Sequence, residues 1–160
     1  MIDGIATAIN GVSFDLRQGE SLAILGESGS GKSVTAQAIM GILDMPPAVI
    51  PNGHIRYCGR DLLSMSEDER RRTRGPEISM IFQDALSSLN PVFPVGYPIE
   101  RALRLHGRAT SADVDARVVE ILSAVGLSPA AEMARRYPHE LSGGQRQRVS
   151  IGRALATEPD

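Results

Sequence analysis

Eight consecutive residues, Gly26-Glu27-Ser28-Gly29-Ser30-Gly31-Lys32-Ser33, leave the chain around them little freedom. They follow the pattern of Gly, four residues, Gly, Lys, then Ser or Thr. Glycine loses the most backbone entropy on folding, so a loop this rich in it needs a reason. Backbone amides that converge on a small anionic volume supply one, because a Cβ at Gly29 or Gly31 would block the anion's approach. A loop of this kind works with a strand before it and a helix after it. Ser21-Leu22-Ala23-Ile24-Leu25 is a short apolar run without polar alternation, as in a strand buried on both faces of a parallel sheet. Downstream, Ala36, Ile39, Met40 and Leu43 fall at i, i+3, i+4 and i+7, which predicts a helix with one buried stripe. Met45-Pro46-Pro47 is expected to stop it.

The residue types specify the anion. The helix start, Lys32-Ser33-Val34, adds its positive dipole end and free amides. Lys32 places a point charge on the β- and γ-phosphates of a nucleoside triphosphate, and the Ser33 hydroxyl suits a Mg²⁺ shell. The candidate phosphate-binding residues are therefore Gly26, Ser28, Gly29, Ser30, Gly31, Lys32, Ser33 and Val34. Lys32 is also a catalytic candidate.

A second feature lies near the other end. In Leu141-Ser142-Gly143-Gly144-Gln145, Ser142 with Gln145 forms a capping box, so a helix is expected to start there and run through Val149 and Leu155. Gly143 and Gly144 are poor helix formers. Their use would be to strip side chains from exposed N–H groups, making a second anion site beside a serine hydroxyl. An ordinary capped helix with two tolerated glycines remains the plainer reading. One chain rarely needs two such cradles, and two copies facing head to tail would let each helix end complete the other's site.

Between the two motifs the pattern changes twice. Ile5 to Leu16 reads as a strand or hairpin arm, and Arg17 to Glu20 as a turn. Ile55 to Leu63 looks like a hairpin turning near Gly59, with Cys58 expected as a small buried residue. Ile78-Ser79-Met80-Ile81-Phe82 is a second buried-strand candidate, and Pro91, Pro94 and Pro98 punctuate a link. Val114, Val118, Ile121, Leu122 and Val125 then form one apolar helical stripe, with Thr110 or Ser111 as cap and Gly126 as stop. The fold class expected from this order is α/β. It comprises a P-loop core with a parallel sheet, an antiparallel β subdomain and an inserted helical subdomain. The expected divisions are residues 1–84, 85–142 and 143–160.

Bulk properties exclude several alternatives. A net charge of −2 gives no basic field for nucleic acid, and three Tyr, three Phe and no Trp leave no stacking platform. Arg70, Arg71, Arg72 and Arg74 follow Glu67, Asp68 and Glu69, as on a charge-balanced solvated helix face. Cys58 is the only cysteine, which fits a reducing compartment. The start of the chain lacks the pattern of a secretory signal, and no apolar stretch has bilayer length. His54, His106 and His139 have no ligand-like neighbours in sequence and are expected at the surface or in loops.

Together these residues resemble the ATP-binding-cassette (ABC) family. Leu141 to Gln145, continuing Arg146-Gln147-Arg148, matches the family signature, with the P-loop upstream and Phe82-Gln83-Asp84 between. The resemblance implies that Gln83 is the Q-loop glutamine, touching Mg²⁺ and the attacking water. It also implies that Ser142, Gly143, Gly144 and Gln145 contact ATP in trans. Met80 to Pro91, with its Ser88-Leu89-Asn90-Pro91, is similar to the oligopeptide, dipeptide and nickel importer branch, as is Tyr137-Pro138-His139-Glu140. Ala85 and Pro94 depart from that branch, which often has proline and threonine there. The implied partners are membrane-spanning permease subunits, a second ATPase subunit and, indirectly, a solute-binding protein. The implied location is the cytoplasmic face of a bacterial membrane, with peptides, nickel or related solutes as cargo.

The family pattern continues past Pro159-Asp160 into the Walker B strand, a D-loop and a switch histidine. The expectation is therefore a fragment of a longer subunit, binding nucleotide weakly and hydrolysing it poorly by itself. No aromatic stands clearly ahead of the P-loop to stack on the base. Phe14 is a possible stand-in, though its strand position favours core packing. Two other readings stand beside the importer: a non-catalytic truncated nucleotide-binding module, and a soluble cassette protein acting outside transport.

Overall fold

A computed structural model describes residues 6–83 and 89–159. The chain divides into two compact units, Met1–Ser66 and Glu67–Asp160.

In the first unit, helix α1 spans Lys32–Met40. It ends earlier than the Pro46 signal predicts, because Gly41 adopts φ 63° and closes the helix. The Gly41 N–H donates to Ala38 O and the Ile42 N–H to Gln37 O, a Schellman arrangement only a left-handed residue allows at no cost. Leu43 thus falls outside the helix. No residue of α1 is fully buried.

Arg17 to Glu20 turns as expected. Glu20 N–H donates to Arg17 O, Arg17 N–H to the Glu20 carboxylate, and Gly19 supplies φ 79°. The apolar run after it is not in a ladder among the described residues, and Leu25 is 91% exposed. A parallel strand takes its hydrogen bonds from neighbours reached by long crossovers. An apolar pattern states that need without containing the neighbour that meets it. The same holds for residues 6–16 and for 78–82, where a single parallel bridge joins Arg74 and Ile78.

The hairpin is present. β1 (Arg56–Tyr57) pairs antiparallel with β2 (Arg60–Asp61) in the register Arg56 to Asp61 and Tyr57 to Arg60. Its two-residue loop has φ 47° at Cys58 and 78° at Gly59, the positive pair a type I′ turn demands. Cys58 is consequently exposed, not buried, since a hairpin tip faces solvent. Asp61 then starts the 3-10 turn Leu62–Ser64, accepting from the Leu63 N–H. His54 is exposed and has a partner: its Nδ1 lies 2.7 Å from Asp61 Oδ2. That hydrogen bond, with the Leu63 amide, holds the Asp61 carboxyl below its ordinary range.

The second unit is helical: α2 (Glu67–Thr73), α3 (Gly96–Leu105), α4 (Val114–Ala124), α5 (Ala130–Met133) and α6 (Gly143–Leu155). In α2 the acids fill the first turn and the arginines the last, which suits the helix dipole. Pro98 lies inside the first turn of α3, where its missing N–H costs nothing, so the proline-punctuated link ends before it. Ile99 and Leu103 of α3, Val114 and Leu122 of α4, and Val149 of α6 form one core, each at most 2% exposed.

Caps fix the helix ends. Thr110, and not Ser111, caps the turn leading into α4: its hydroxyl and N–H both donate to Asp113 Oδ1, and it accepts from Ala112. These bonds hold the Asp113 carboxyl below its usual range. Gly126, at φ 74°, closes α4 with Gly126 N–H to Ser123 O and Leu127 N–H to Leu122 O. A Cβ on Gly126 would sit 2.3 Å from Arg148 Nη1. Because φ 74° strains any side chain, Gly126→Ala is expected to lower stability by about 1–2 kcal/mol, read as a drop in the denaturation midpoint at unchanged slope.

The end of α6 ties back to residue 75. The buried Thr157 hydroxyl donates to Gly75 O at 2.8 Å, and the His106 ring fills the space a Gly75 Cβ would need. His106 is half-buried, and burial, then the Arg108 charge, lower its pKa below the ordinary 6.5. The folded state thus prefers the neutral ring. Its contribution is full above pH 6.5 and is lost as pH falls below that value, where the unfolded chain binds the extra proton. His106→Gln is expected to flatten stability between about pH 7 and 5 in urea titrations; an unchanged slope there would refute this assignment.

Candidate functional site

The P-loop takes its shape from its glycines. Gly29 and Gly31 hold φ 84° and 87°, left-handed values that other residues adopt only under strain. Gly31 has a second reason, since a Cβ there would meet Ala8 O at 2.7 Å. At Gly26 an added Cβ would meet Ser30 Oγ at 2.6 Å, while at Gly29 the space is open. Gly31 is the N-cap of α1 and brings no side chain to its first amides, those of Lys32, Ser33 and Val34. A positively polarised helix end is thus left uncapped beside a loop that no Cβ obstructs at Gly29.

Lys32 arches back over this loop. Its ammonium donates to Gly26 O at 2.7 Å, Glu27 O at 2.6 Å and Ser30 Oγ at 3.2 Å. Three oxygens of the loop therefore hold the charge against it. Ser28 and Ser33 are exposed and Val34 is half-buried. Thr35, which the motif reading passed over, donates its hydroxyl to Gly31 O at 2.9 Å and steadies the first turn. Open backbone, an uncapped helix end, a centred cation and an exposed Ser33 hydroxyl fit a triphosphate with its Mg²⁺.

In the second unit, the predicted capping box at the start of α6 is formed. Gln145 N–H donates to Ser142 Oγ at 3.3 Å, and Ser142 N–H to Gln145 Oε1 at 2.9 Å. Nothing lies within 4 Å of where a Cβ on Gly143 or Gly144 would be, and both are exposed. Leu141, just before them, is buried in the helical core. The bare helix end is therefore presented outward from a fixed base.

Gln83 is exposed. Asp84 to Ser88 lie outside the described residues, so the importer-like run is seen from Leu89 onward. Leu89 is in the core, and Asn90 Oδ1 accepts from Val92 N–H at 3.0 Å, an Asx turn. Pro91 then lines an open cleft of about 1250 Å³ together with Tyr137 and His139. The two stretches that resemble importers thus meet at one surface, a juxtaposition no local pattern contains. Sequence reading also missed Arg146 and Arg148. Arg146 Nε donates to Leu141 O at 2.9 Å, and Arg148 Nη1 to Val125 O and Gly126 O at 3.1 and 3.2 Å. Their only local signal was basic residues inside the signature run.

Among the described residues no helix is long and apolar enough to cross a membrane, and no group of His, Cys, Asp or Glu is disposed to hold a metal.

A phosphate loop opening α1 and a bare capped helix opening α6, in this order, define a nucleotide-binding cassette. The ABC transporter family model matches residues 9–160, and the chain belongs to that family. Among curated proteins it is 49% identical over 156 residues to the oligopeptide transport ATP-binding protein OppD of Bacillus subtilis (strain 168), covering 98% of this chain and 44% of that protein. It is 46% identical over 157 residues to the dipeptide transport ATP-binding protein DppD of the same organism, covering 98% and 47%. The chain thus spans about half the length of the curated relatives it matches. Among solved structures it resembles the dimeric bacterial ABC transporter cassette MJ0796 with a TM-score of 0.83 and 29% identity, covering 99% of this chain and 66% of that one. The same cassette in a post-hydrolysis dimer bound to ADP and Pi gives a TM-score of 0.80 over 95% and 62%. The fold class is accordingly that of the α/β P-loop cassettes.

Proposed function

We propose that this chain belongs to an ATP-binding subunit that couples ATP binding and hydrolysis to the uptake of peptides or a related small solute. The observation that carries the reading is that one chain holds both halves of a shared site. One is the Lys32-centred P-loop; the other is the exposed Gly143–Gly144 end of α6. Neither half encloses a nucleotide by itself. A second ATP-binding subunit facing it head to tail would close two sites, each lined by the P-loop of one copy and Ser142, Gly143, Gly144 and Gln145 of the other.

In such a site Lys32 exchanges its loop oxygens for the β- and γ-phosphates, and the amides from Gly29 to Val34 receive the remaining phosphate oxygens. Ser33 and Gln83 would hold Mg²⁺, which when bound supplies charge neutralisation on those oxygens. Gln83 also orients the water. Membrane-spanning permease subunits on the cytoplasmic side would transmit the closure, with a solute-binding protein delivering cargo from the other side. Peptides are favoured because the curated relatives carry peptide and dipeptide names.

The test is ATP hydrolysis by the assembled complex in liposomes, with and without a peptide-loaded binding protein. The proposal expects stimulation by the loaded binding protein. Hydrolysis indifferent to permease and binding protein alike would reject it in favour of a cassette acting outside transport.

A further inference from the structure

The exposed end of α6 can serve an opposing nucleotide only if the helix axis is held; beside the buried Leu141 and Val149, one exposed contact bears on it. Arg148 lies four residues after Gly144, one turn further along the same face. Its Nη1 donates to both Val125 O and Gly126 O, the carbonyls that end α4. The cation therefore sits at a helix C-terminus, where the dipole favours it. A Cβ at Gly126 would lie 2.3 Å from that nitrogen, so a side chain there would displace the guanidinium. Further along α6, Gly152 lets the helix approach closely: a Cβ there would meet Ile121 Cγ2 at 3.1 Å. From Gly152 to Gly143 the helix rises about 14 Å. A tilt of about 10° about that contact would displace the glycine amides by about 2 Å, beyond what a hydrogen bond tolerates.

We infer that Arg148 is a positioning residue: hooked onto the end of α4, it fixes the direction in which α6 presents Gly143 and Gly144. The inference rests on the reading of that helix end as the in-trans half of an ATP site. Arg148 does not touch the nucleotide; it acts through the helix that does.

The experiment uses the assembled transport complex, with ATP hydrolysis and a fluorescent ATP analogue as probes. Arg148→Ala is expected to lower kcat about tenfold or more, while affinity for the analogue at the P-loop stays within about twofold. Arg148→Lys, which keeps a charged nitrogen able to donate to both carbonyls but on a stem of different reach, should recover part of the loss. Val114→Ala, at the opposite end of α4, removes buried core and lowers stability without touching the Arg148 contact. It should leave kcat within about twofold well below its melting temperature. An unchanged kcat in Arg148→Ala, or an equal loss in Val114→Ala, overturns the positioning role. Gly144→Asp separates the two layers. If it cuts hydrolysis while Arg148→Ala does not, only the positioning role fails; if it is silent, the anion-site reading fails, and this inference with it.

Discussion

Replacing Lys32 by Ala is expected to reduce ATP hydrolysis by the assembled complex at least about a hundredfold, the usual cost of removing one charge-stabilising donor from a phosphoryl-transfer site. The geometry gives the reason. The ammonium is held by Gly26 O, Glu27 O and Ser30 Oγ, so its position over the loop is set before any phosphate arrives. No other cationic side chain lies in the loop from Gly26 to Ser33. Lys32→Arg should not rescue, because a planar fork cannot replace a compact charge seated between two carbonyls and a hydroxyl. The fold should survive, since α1 contributes no fully buried residue and the helical core lies in the other unit. Steady-state hydrolysis and circular dichroism on the same samples check both halves. Activity within about tenfold of wild type, with the fold intact, would remove Lys32 from the catalytic assignment.

Gly144→Asp should raise stability slightly and do much the same to activity. Nothing outside the helix's own backbone stands within 4 Å of the new Cβ, and the position is exposed. It replaces a poor helix former in the first turn of α6 with an acid, which the helix dipole favours, for a gain of about 0.5–1 kcal/mol. The same carboxylate would sit where the proposal places the nucleotide of the opposing subunit. Its charge would repel the ligand and its bulk would cover the bare amides. Hydrolysis is expected to fall at least about a hundredfold while the melting temperature holds or rises. An ordinary capped helix with a tolerated glycine predicts the same gain in stability but full activity. Thermal unfolding and turnover measured together decide between them.

The legible parts of this molecule were those governed by neighbours in sequence. The capping box at Ser142 and Gln145, the turn at Arg17 to Glu20 and the hairpin at Gly59 each depend on residues within about a helical turn of one another. Errors arose where two local signals competed. Gly41 ended α1 ahead of Pro46 because an available left-handed residue closes a helix at once. Where Thr110 and Ser111 were both open as caps, Thr110 is the one bonded to Asp113, whose carboxylate accepts from its N–H and hydroxyl. Cys58 was expected inside on its apolar character, but a type I′ turn puts its residues outside whatever their character.

The sequence alone was enough to point to the chemistry proposed. Gly29, Gly31, Lys32 and Ser33 name a phosphate loop, and Ser142 to Gln145 name an exposed helix start, because both are built from backbone geometry that specific residue types impose. Tertiary structure alone decided what steadies them. Arg148 reaching Gly126 across 22 positions and Thr157 reaching Gly75 across 82 depend on how distant segments pack. The meeting of Pro91 with Tyr137 at one cleft belongs to the same class. Local rules carry no information about such pairs: any residue's neighbours in sequence are fixed by covalent bonds, whereas its neighbours in space are chosen by the whole fold competing for the same core.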